Sequence, residues 1–484
     1  MDDLPPAELM RRIFEPRSLA LVGVPRGPGL GRMFLEGQRS PGYTGELFVV
    51  NPSAEEILGQ RVHPSVEAIG HPVDQAIVVV PTAAVPAVLE DCGRAGIRVV
   101  VLFTSGFDEL GTPEGRARGE VVREVANRHG IRLIGPNCMG VFSPTVHVGP
   151  MPNMPAEVGR TAYLSQSGSL MLFFVREGAA RGIPAAKAVS FGNQIDLQAA
   201  DFLRSLAEDD TVDCIGLYLE GAPNGRALFE ALRAATRRKP VVLWKSGRTE
   251  GGARAAQSHT GALTGTNEVW QATLRQTGAI PAREIDDVLD IVEALHVHPR
   301  LEGPGLALIT SPGGPSVSAV DALEEAGLRL ATLDASTIER LRQEPELAGV
   351  GTSPRNPVDL GFTQGSTGIF ARVTRIVGRD PNVDGLVVFG TGGKGATANE
   401  VRPRVDRGED RGRPPARPRR SRPRPRARRA LRRGRHPDLP DGRTRRPSTR
   451  AHPRGPRLPP RRRRRPRLTA RSKQAVTQAL TRSI

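Results

Sequence analysis

Cysteine, aromatic residues and long apolar runs are scarce in this sequence of 484 residues. The three cysteines, Cys92, Cys138 and Cys214, are odd in number and far apart, which argues against a disulfide framework and a Cys-x-x-Cys metal site. No apolar run approaches the roughly 18 residues that a membrane-spanning helix needs, and the first residues lack the pattern of a secretory signal. We therefore expect a soluble, cytoplasmic protein without a membrane segment.

Acidic residues are scarce only in the last part of the chain. The formal net charge is +18, but residues 401–484 hold 31 of the 69 basic residues and 5 of the 51 acidic ones. That segment therefore carries +26, and residues 1–400 carry −8. An acidic body in a chain with 4% aromatic residues does not favour nucleic acid as a partner of the folded part.

The composition changes abruptly near Gly393, and no aromatic residue follows Phe389. Residues 396–484 are rich in Arg and Pro and too poor in apolar residues to offset the entropy of ordering, so we expect disorder. One interpretation is a basic segment that binds nucleic acid or anionic lipid by counterion release. The other is GC-rich DNA translated in a shifted reading frame. The break inside an α/β domain favours the second.

Residues 1–395 alternate short runs of Val, Ile and Leu with helix-like stretches, which is the pattern of parallel βαβ units. Segments rich in Pro and Gly, Gly149–Pro155 and Leu301–Gly305, divide the series. The sequence thus predicts an α/β protein with domains at 1–148, 149–300 and 301–395, the third incomplete. The predicted strands of the first two domains are Ser18–Val24, Glu46–Asn51, Gln75–Pro81, Arg98–Thr104 and Arg132–Pro136, then Thr161–Ser165, Ala188–Phe191, Asp213–Leu219 and Pro240–Lys245.

A glycine-rich turn, Gly23–Gly31, follows the first predicted strand. Backbone N–H groups there and the next helix N-terminus can hold a phosphate. Dinucleotide folds usually have an acidic residue at the end of the second strand to bind the ribose, whereas this strand ends in Asn51, which disfavours NAD. CoA, another adenine nucleotide with a pyrophosphate, is still a candidate ligand, and Arg26 can pair with one of its phosphates. A turn without a ligand is the alternative.

Three further turns follow strands of the second domain: Ser165–Ser169, Phe191–Asp196 and Lys245–Gly247. Because carboxyl ends of parallel strands meet at one edge of a sheet, the donors of these turns predict an anion site there. Three ordinary turns without a ligand are the alternative.

His259 lies among small residues, in a segment with little reason to be packed core. A neutral imidazole is nucleophilic near pH 7, and its phosphoramidate transfers phosphate readily. The other ring nitrogen then needs an acceptor, and Glu220, at the end of a predicted strand of the same sheet, is a candidate for it. His259 is therefore the candidate phosphate carrier and Glu220 its orienting carboxylate.

These residues resemble those of the α subunit of succinyl-CoA synthetase and, more closely, the α subunit or α-like half of ADP-forming acetate–CoA ligases and related acyl-CoA synthetases. The resemblance covers about residues 13–392, and its most specific segments are Ser258–Leu263 and Gly135–Gly140. Supporting segments follow in the same order as in the family: Val50–Pro52, Glu56–Gly59, Ser105–Phe107, Ser165–Gly168 and Asn356–Asp359.

The resemblance implies a CoA-binding Rossmann-like domain followed by two flavodoxin-like ligase domains. It also implies the conversion of an acid, CoA and ATP to acyl-CoA, ADP and phosphate through an acyl phosphate and a phosphohistidine at His259. The phosphate ligands expected are Ser165, Ser167, Gly168, Ser169, Gly192, Asn193 and Lys245, and the CoA contacts expected are Gly23, Pro25, Arg26, Asn51, Thr104, Ser105, Gly106 and Asn137.

The sequence departs from the family in two respects. Ser53 follows Asn51-Pro52 where relatives often have lysine, so one CoA phosphate contact is either missing or supplied by Arg26. The ATP-grasp module of the family has no counterpart in this chain. We therefore expect an ATP-grasp β subunit in a hetero-oligomer, which binds ATP/ADP and Mg²⁺, or a module lost beyond the shifted frame. No cluster with metal-ligand spacing predicts a metal site in the chain itself.

Two other functions fit parts of the sequence. A CoA- or acyl-CoA-binding protein without catalysis would need the CoA domain alone, although it has no use for His259 and Glu220. A nucleic-acid-binding protein would use the basic segment. The identity of the carboxylic acid and the direction of the reaction stay open at this stage.

Overall fold

The computed structural model describes residues 4–40, 42–260, 265–297, 301–311, 313–349, 351–361 and 367–389. They belong to two compact units, of which the first ends at Arg300 and the second begins at Leu301. The predictions of disorder and of a shifted reading frame concern residues 396–484, which lie outside the described residues. Within the described part, no helix has the length and apolar character needed to cross a membrane.

The first sheet of the first unit has seven strands, and the same part of the chain forms four α-helices. They are α1 (Pro6–Phe14), β1 (Ser18–Val22), α2 (Leu30–Arg39), β2 (Glu46–Val50), β3 (Glu56–Ile57), β4 (Gln60–His63), β5 (Gln75–Val78), α3 (Val85–Arg94), β6 (Val99–Leu102), α4 (Pro113–His129) and β7 (Arg132–Ile134). The strand order is β3-β4-β2-β1-β5-β6-β7, parallel except for the β3–β4 hairpin.

Alternate residues of these strands pack on opposite faces of the sheet. Leu19 and Leu21 of β1 join a core with α1 and α2, whereas Ala20 and Val22 join a core with α3 and α4. The sheet is therefore doubly wound, and its five predicted strands are confirmed. The β3–β4 hairpin escapes prediction because its strands are short and largely polar.

The second sheet of the first unit has six strands, in the order β13-β12-β11-β9-β10-β8. All pair in parallel except β8, which is antiparallel to β10. The elements are β8 (Gly140–Phe142), β9 (Thr161–Ser165), α5 (Gly168–Ala180), β10 (Ala185–Ser190), α6 (Ala199–Glu208), β11 (Cys214–Leu219), α7 (Gly225–Ala235), β12 (Val241–Lys245), α8 (Glu250–Thr260), α9 (Asn267–Thr277), β13 (Ile280–Ala282) and α10 (Ile285–Val297).

The loop after β10 is fixed to the end of β7, which joins the two sheets. Asn193 N–H donates to the Pro136 carbonyl at 3.0 Å, and Ile195 N–H donates to the Gly135 carbonyl at 3.2 Å. Asp196 pairs with Arg132 at 3.1 Å. One apolar core also contains residues of both sheets, so the loops at their carboxyl ends have defined relative positions.

The second unit contains a smaller parallel sheet. Its strand Gly305–Thr310 pairs in parallel with each of the other three strands. Apolar side chains such as Ile309 and Val358 form the core. The elements are β14 (Gly305–Thr310), α11 (Gly314–Glu325), β15 (Arg329–Leu330), α12 (Ala335–Arg342), β16 (Val358–Asp359), α13 (Thr367–Val377) and β17 (Gly385–Phe389). The predicted α/β class is thus confirmed for this unit as well.

Candidate functional site

The turn after β9 builds the N-terminus of α5. Ser165 Oγ donates to the Ser167 carbonyl at 2.6 Å and accepts from the Ser167 N–H at 3.1 Å. Ser167 is the N-cap of α5, and its Oγ accepts from the Leu170 N–H at 3.4 Å. The N–H groups of a first helical turn lack intrahelical partners, and together with the helix dipole they favour an anion at this position.

Gly192 and Asn193 form the facing turn after β10. A Cβ on Gly192 would lie 2.2 Å from the Pro136 carbonyl oxygen, and its φ is +50°, so a side chain is excluded there. Asn193 donates from Nδ2 to a Glu109 carboxylate oxygen at 2.5 Å. Asn193 Oδ1 is buried and has no hydrogen-bond partner among the described residues. Besides the N–H that donates to Glu109, the amide carries a second N–H and the Oδ1 acceptor.

The two turns line a cavity of about 180 Å³ at the carboxyl ends of β9 and β10. The cavity opens to solvent and has room for a phosphate. Lysine, arginine and carboxylate side chains are absent from its described lining, and the N-terminus of α5 contributes positive potential there. The lining comprises the predicted residues Ser167, Gly168, Ser169, Gly192, Asn193 and Asn137, together with Phe103, Cys138, Met139 and Gln166.

Glu220 directly follows β11 and is 4% exposed. Its N–H and that of Gly221 both donate to Gln166 Oε1, at 2.9 and 3.1 Å. Tyr218 Oη donates to the Glu220 carboxylate at 3.1 Å. The backbone of Glu220 is thus held to Gln166, a residue of the cavity wall, and Tyr218 orients the carboxylate in a buried network.

Lys245 ends β12 and is also 4% exposed. Its Nζ donates to the Ser246 carbonyl and lies 5.1 Å from the centroid of the Trp270 ring on α9, a cation–π contact. Burial lowers the pKa of Lys245 to about 8, and the Glu220 carboxylate opposes that shift. Lys245 is not part of the cavity lining, so its role as a phosphate ligand stays a prediction.

The tryptophan fluorescence of this chain should titrate with a midpoint near pH 8. Both tryptophans, Trp244 and Trp270, lie beside Lys245 in sequence or in space, and the ammonium is present below that pH and lost above it. Because the folded pKa lies below the ordinary value of 10.5, burying the cation lowers the free energy of unfolding. This cost is at its full size below about pH 8. That cost disappears between about pH 8 and 10.5.

Lys245→Met should accordingly remove the fluorescence titration, and it should stabilise the protein against urea more at pH 7 than at pH 10. An emission that stays flat in the wild type from pH 6 to 10, or an unchanged titration in the variant, would contradict this assignment. Lys239→Met is the matched control for the fluorescence titration, since Lys239 lies before β12 and donates to the carbonyl of Leu206, whereas Lys245 lies over the Trp270 ring.

His259 lies in the last turn of α8, and its side chain is outside the described residues. The helix starts after Thr249, whose Oγ1 accepts from the Gly252 N–H at 3.1 Å. α8 lies beside the 3₁₀ turn Asp108–Leu110 of the first sheet's domain. The backbone of the predicted phosphate carrier therefore belongs to the same compact unit as the cavity.

A second, larger cleft of about 720 Å³ lies beyond the carboxyl ends of β1 and β2. Gly23 has a φ of +92°, and a Cβ there would lie 2.5 Å from the Val79 carbonyl oxygen, so the backbones approach closely. Asn51 Nδ2 donates to the Val24 carbonyl at 2.8 Å, and its Oδ1 accepts from the Ser53 N–H at 2.8 Å. Asn51 therefore shapes the turn that carries Pro25.

Charged side chains of both signs line this cleft. Arg26 and Arg61 contribute guanidinium groups, and Glu55 and Glu56 contribute carboxylates. Both arginines are exposed. Two guanidinium groups at the edge of an α/β sheet can bind phosphates, and the carboxylates can accept from an adenine amino group.

Thr104, Ser105 and Gly106 form the loop after β6. Thr104 Oγ1 donates to the Val80 carbonyl at 2.7 Å, and the Thr104 carbonyl accepts from the Asn137 N–H at 3.0 Å. Ser105 offers its carbonyl to Thr82 Oγ1 at 2.8 Å, and Gly106 has a φ of +108°. Of the predicted CoA contacts, Asn137 lines the small cavity and Arg26 lines the larger cleft.

Four residues in or beside these two sites were not identified from the sequence: Glu109, Gln166, Arg61 and Trp270. Gln166 lies within a quoted segment, but its amide supports Glu220 through a contact between separate strands that the sequence does not reveal. Arg61 lies on β4, in the hairpin that sequence patterns miss. Metal-binding groups of three or more His, Cys, Asp or Glu residues are also absent from the part of the chain that the structure describes.

Two family models match the first unit. The CoA binding domain model matches residues 17–144, and the succinyl-CoA ligase like flavodoxin domain model matches residues 158–295. They correspond to the two sheets, except that β8 lies in the first match and pairs in the second sheet. The chain thus contains a CoA-binding domain followed by a flavodoxin-like ligase domain.

Curated proteins with similar sequences are ADP-forming acetate–CoA ligases. The chain is 37% identical over 377 residues to acetate–CoA ligase I of Archaeoglobus fulgidus, which covers 78% of this chain and 54% of the relative. It is 36% identical over 380 residues to the α subunit of acetate–CoA ligase II of Pyrococcus furiosus, covering 78% and 81%. The chain thus spans about half the length of the first relative and about four-fifths of the second.

Solved structures give the same picture. A dinucleotide-forming acetyl-coenzyme A synthetase 1 from Ca. Korarchaeum cryptofilum, in complex with phosphate and ADP, has a TM-score of 0.70 at 30% identity, covering 78% of this chain and 82% of that one. A protein from Pyrococcus horikoshii OT3 has a TM-score of 0.69 at 30% identity, covering 81% and 85%. Sequence identity, coverage and fold together show that the chain belongs to the ADP-forming acyl-CoA synthetases, in the group of acetate–CoA ligase α subunits and α-like halves.

Proposed function

We propose that this chain is the CoA-binding and phosphohistidine component of a nucleoside-diphosphate-forming acyl-CoA synthetase. The reaction converts a carboxylic acid, CoA and ATP to acyl-CoA, ADP and phosphate. The observation that carries the proposal is the small cavity at the N-terminus of α5, which shares one compact unit with a CoA-binding domain and with α8. The Korarchaeum relative was solved with phosphate and ADP, ligands that fit this chemistry.

The reaction proceeds through two intermediates. An imidazole nitrogen of His259 takes the terminal phosphoryl group of ATP, and ADP leaves. A carboxylate oxygen of the acid attacks the phosphorus, the P–N bond breaks and an acyl phosphate forms. The sulfur of CoA then attacks the acyl carbon, and phosphate leaves with the electron pair of the C–O bond and takes up the thiol proton.

Residues of the cavity fit the two phosphoryl-transfer steps. The N-terminal turn of α5, with Gly168 and Ser169, stabilises the phosphoryl oxygens through N–H groups that are already oriented. Glu220 orients His259 and offsets the positive charge that the ring gains. The nucleotide and its Mg²⁺ bind to an ATP-grasp partner, which makes the working enzyme a hetero-oligomer.

The larger cleft fits the nucleotide end of CoA. Arg26 and Arg61 bind its phosphates, and Arg61 supplies the cation that Ser53 does not. The pantetheine arm then reaches the small cavity, which Asn137 lines. Because the curated relatives with the highest identity include acetate–CoA ligases, acetate is the first acid to test.

The last half of the reaction tests this function without a partner subunit. The purified chain should convert acetyl phosphate and CoA to acetyl-CoA and free phosphate in equal amounts. With an ATP-grasp subunit of an ADP-forming acetate–CoA ligase, acetate and ATP should replace acetyl phosphate. A chain that binds CoA and forms no thioester in either assay would instead be a CoA-binding protein without catalysis.

A further inference from the structure

Glu109 joins two loops that belong to different domains of the first unit. Its carboxylate accepts from the Gly106 N–H, from the Phe107 N–H at 3.1 Å and from Asn193 Nδ2 at 2.5 Å. The first two donors lie in residues 104–107, here called the CoA loop, and the third lies in residues 191–194, here called the phosphate loop. One carboxylate thus holds both loops with charge-assisted hydrogen bonds.

Glu109 does this from behind the cavity wall. Asn193 and Gly192 line the cavity, whereas Glu109 does not. Because the carboxylate accepts hydrogen bonds only, it fixes the Asn193 amide with Nδ2 towards Glu109. Oδ1 then lies on the other side of the amide, buried and without a hydrogen-bond partner among the described residues.

A third element meets the same point. The 3₁₀ turn Asp108–Leu110, which contains Glu109, lies beside α8, and α8 carries His259 in its last turn. Gly115, near the start of α4, allows the backbone before the turn to pack closely on the helix, since a Cβ there would lie 2.3 Å from the Phe107 carbonyl oxygen. The carboxylate is therefore held on a constrained turn between the two loops and the helix of the phosphate carrier.

We propose that Glu109 is a positioning residue that couples the CoA loop to the phosphate loop, so that each ligand organises the site of the other. The inference rests on the proposed function, because it assigns CoA and phosphate to the two loops. A ligand that orders one loop fixes the carboxylate, and the carboxylate fixes the other loop. The second ligand then loses less conformational freedom on binding.

Calorimetric titration of CoA into the full chain, with and without saturating inorganic phosphate, measures this coupling. We expect phosphate to tighten CoA binding by about five-fold or more in the wild type, and CoA to tighten phosphate binding by the same factor. In Glu109→Ala and in Asn193→Ala the factor should fall to about one, and the double variant should add nothing further. Glu124→Ala, an exposed glutamate on α4, is the matched control and should keep the wild-type factor.

Hydrogen exchange on the ligand-free chain tests the bridge independently of the function. Glu109→Ala should accelerate exchange in the phosphate loop as well as in the CoA loop, although only the CoA loop loses backbone bonds directly. Exchange that changes in the CoA loop alone, or a CoA–phosphate factor that is unchanged by Glu109→Ala or close to one in the wild type, would overturn the coupling. A wild type that binds neither ligand but shows the predicted exchange would refute the proposed function and leave the bridge intact.

Discussion

His259→Ala should abolish transfer of label from ³²P-labelled acetyl phosphate to the chain. The transfer is the reverse of acyl phosphate formation, so it needs the imidazole and neither ATP nor a partner subunit. Because no other group takes the place of a lost nucleophile, we expect the labelling rate to fall by at least about 1,000-fold. The label on the wild type should be labile in acid and stable in alkali, as expected of a phosphoramidate.

The same variant should keep most of its ability to make acetyl-CoA from acetyl phosphate and CoA. That step uses the acyl phosphate directly and bypasses the histidine, so a loss of both activities would indicate a damaged fold rather than a lost carrier. His71→Ala is the matched control, since His71 is exposed on the loop before β5. Label that persists on His259→Ala, or that survives acid on the wild type, would disprove the assignment of the carrier.

The strands of the first unit could largely be predicted from the sequence because a parallel sheet buries both faces. Val99–Leu102 is buried at every position, and such a run stands out from its polar surroundings. Strand pairing is less visible. Gly140–Phe142 is only three residues long, and its antiparallel partner, β10, lies more than 40 residues further along the chain. Its membership of the second sheet depends on tertiary contacts alone.

The candidate site could likewise be predicted only in part from the sequence. Residues at the carboxyl ends of neighbouring parallel strands must meet, so a sequence with Ser167 and Gly192 after two such strands predicts one cavity. What each side chain does there depends on its neighbours. The side-chain amide of Asn193 donates to the Glu109 carboxylate, and the ammonium group of Lys245 lies over the Trp270 ring. Neither contact has a sequence spacing that reveals it, because the partners come from separate elements of the fold.

Glu220→Gln should slow labelling of His259 by about 100- to 10,000-fold while the affinity for CoA stays unchanged. A carboxylate holds the imidazole in one tautomer and stabilises the positive charge that develops on it, whereas a neutral amide does neither reliably. The substitution keeps the size of the side chain, and the backbone bonds of Glu220 and Gly221 to Gln166 do not involve the carboxylate. The measurement is the initial rate of labelling from acetyl phosphate.

Tyr218→Phe gives the graded comparison for Glu220. It removes one hydrogen bond to the carboxylate and leaves the charge in place, so labelling should slow by about ten-fold at most. Glu230→Gln, on the exposed surface of α7, should have no effect. If the Glu220 carboxylate acts on the His259 ring through its charge, labelling should be fastest in Glu230→Gln and slowest in Glu220→Gln. Equal rates for Tyr218→Phe and Glu220→Gln would instead indicate that both residues only maintain the packing of β11, and would remove Glu220 from the phosphate relay.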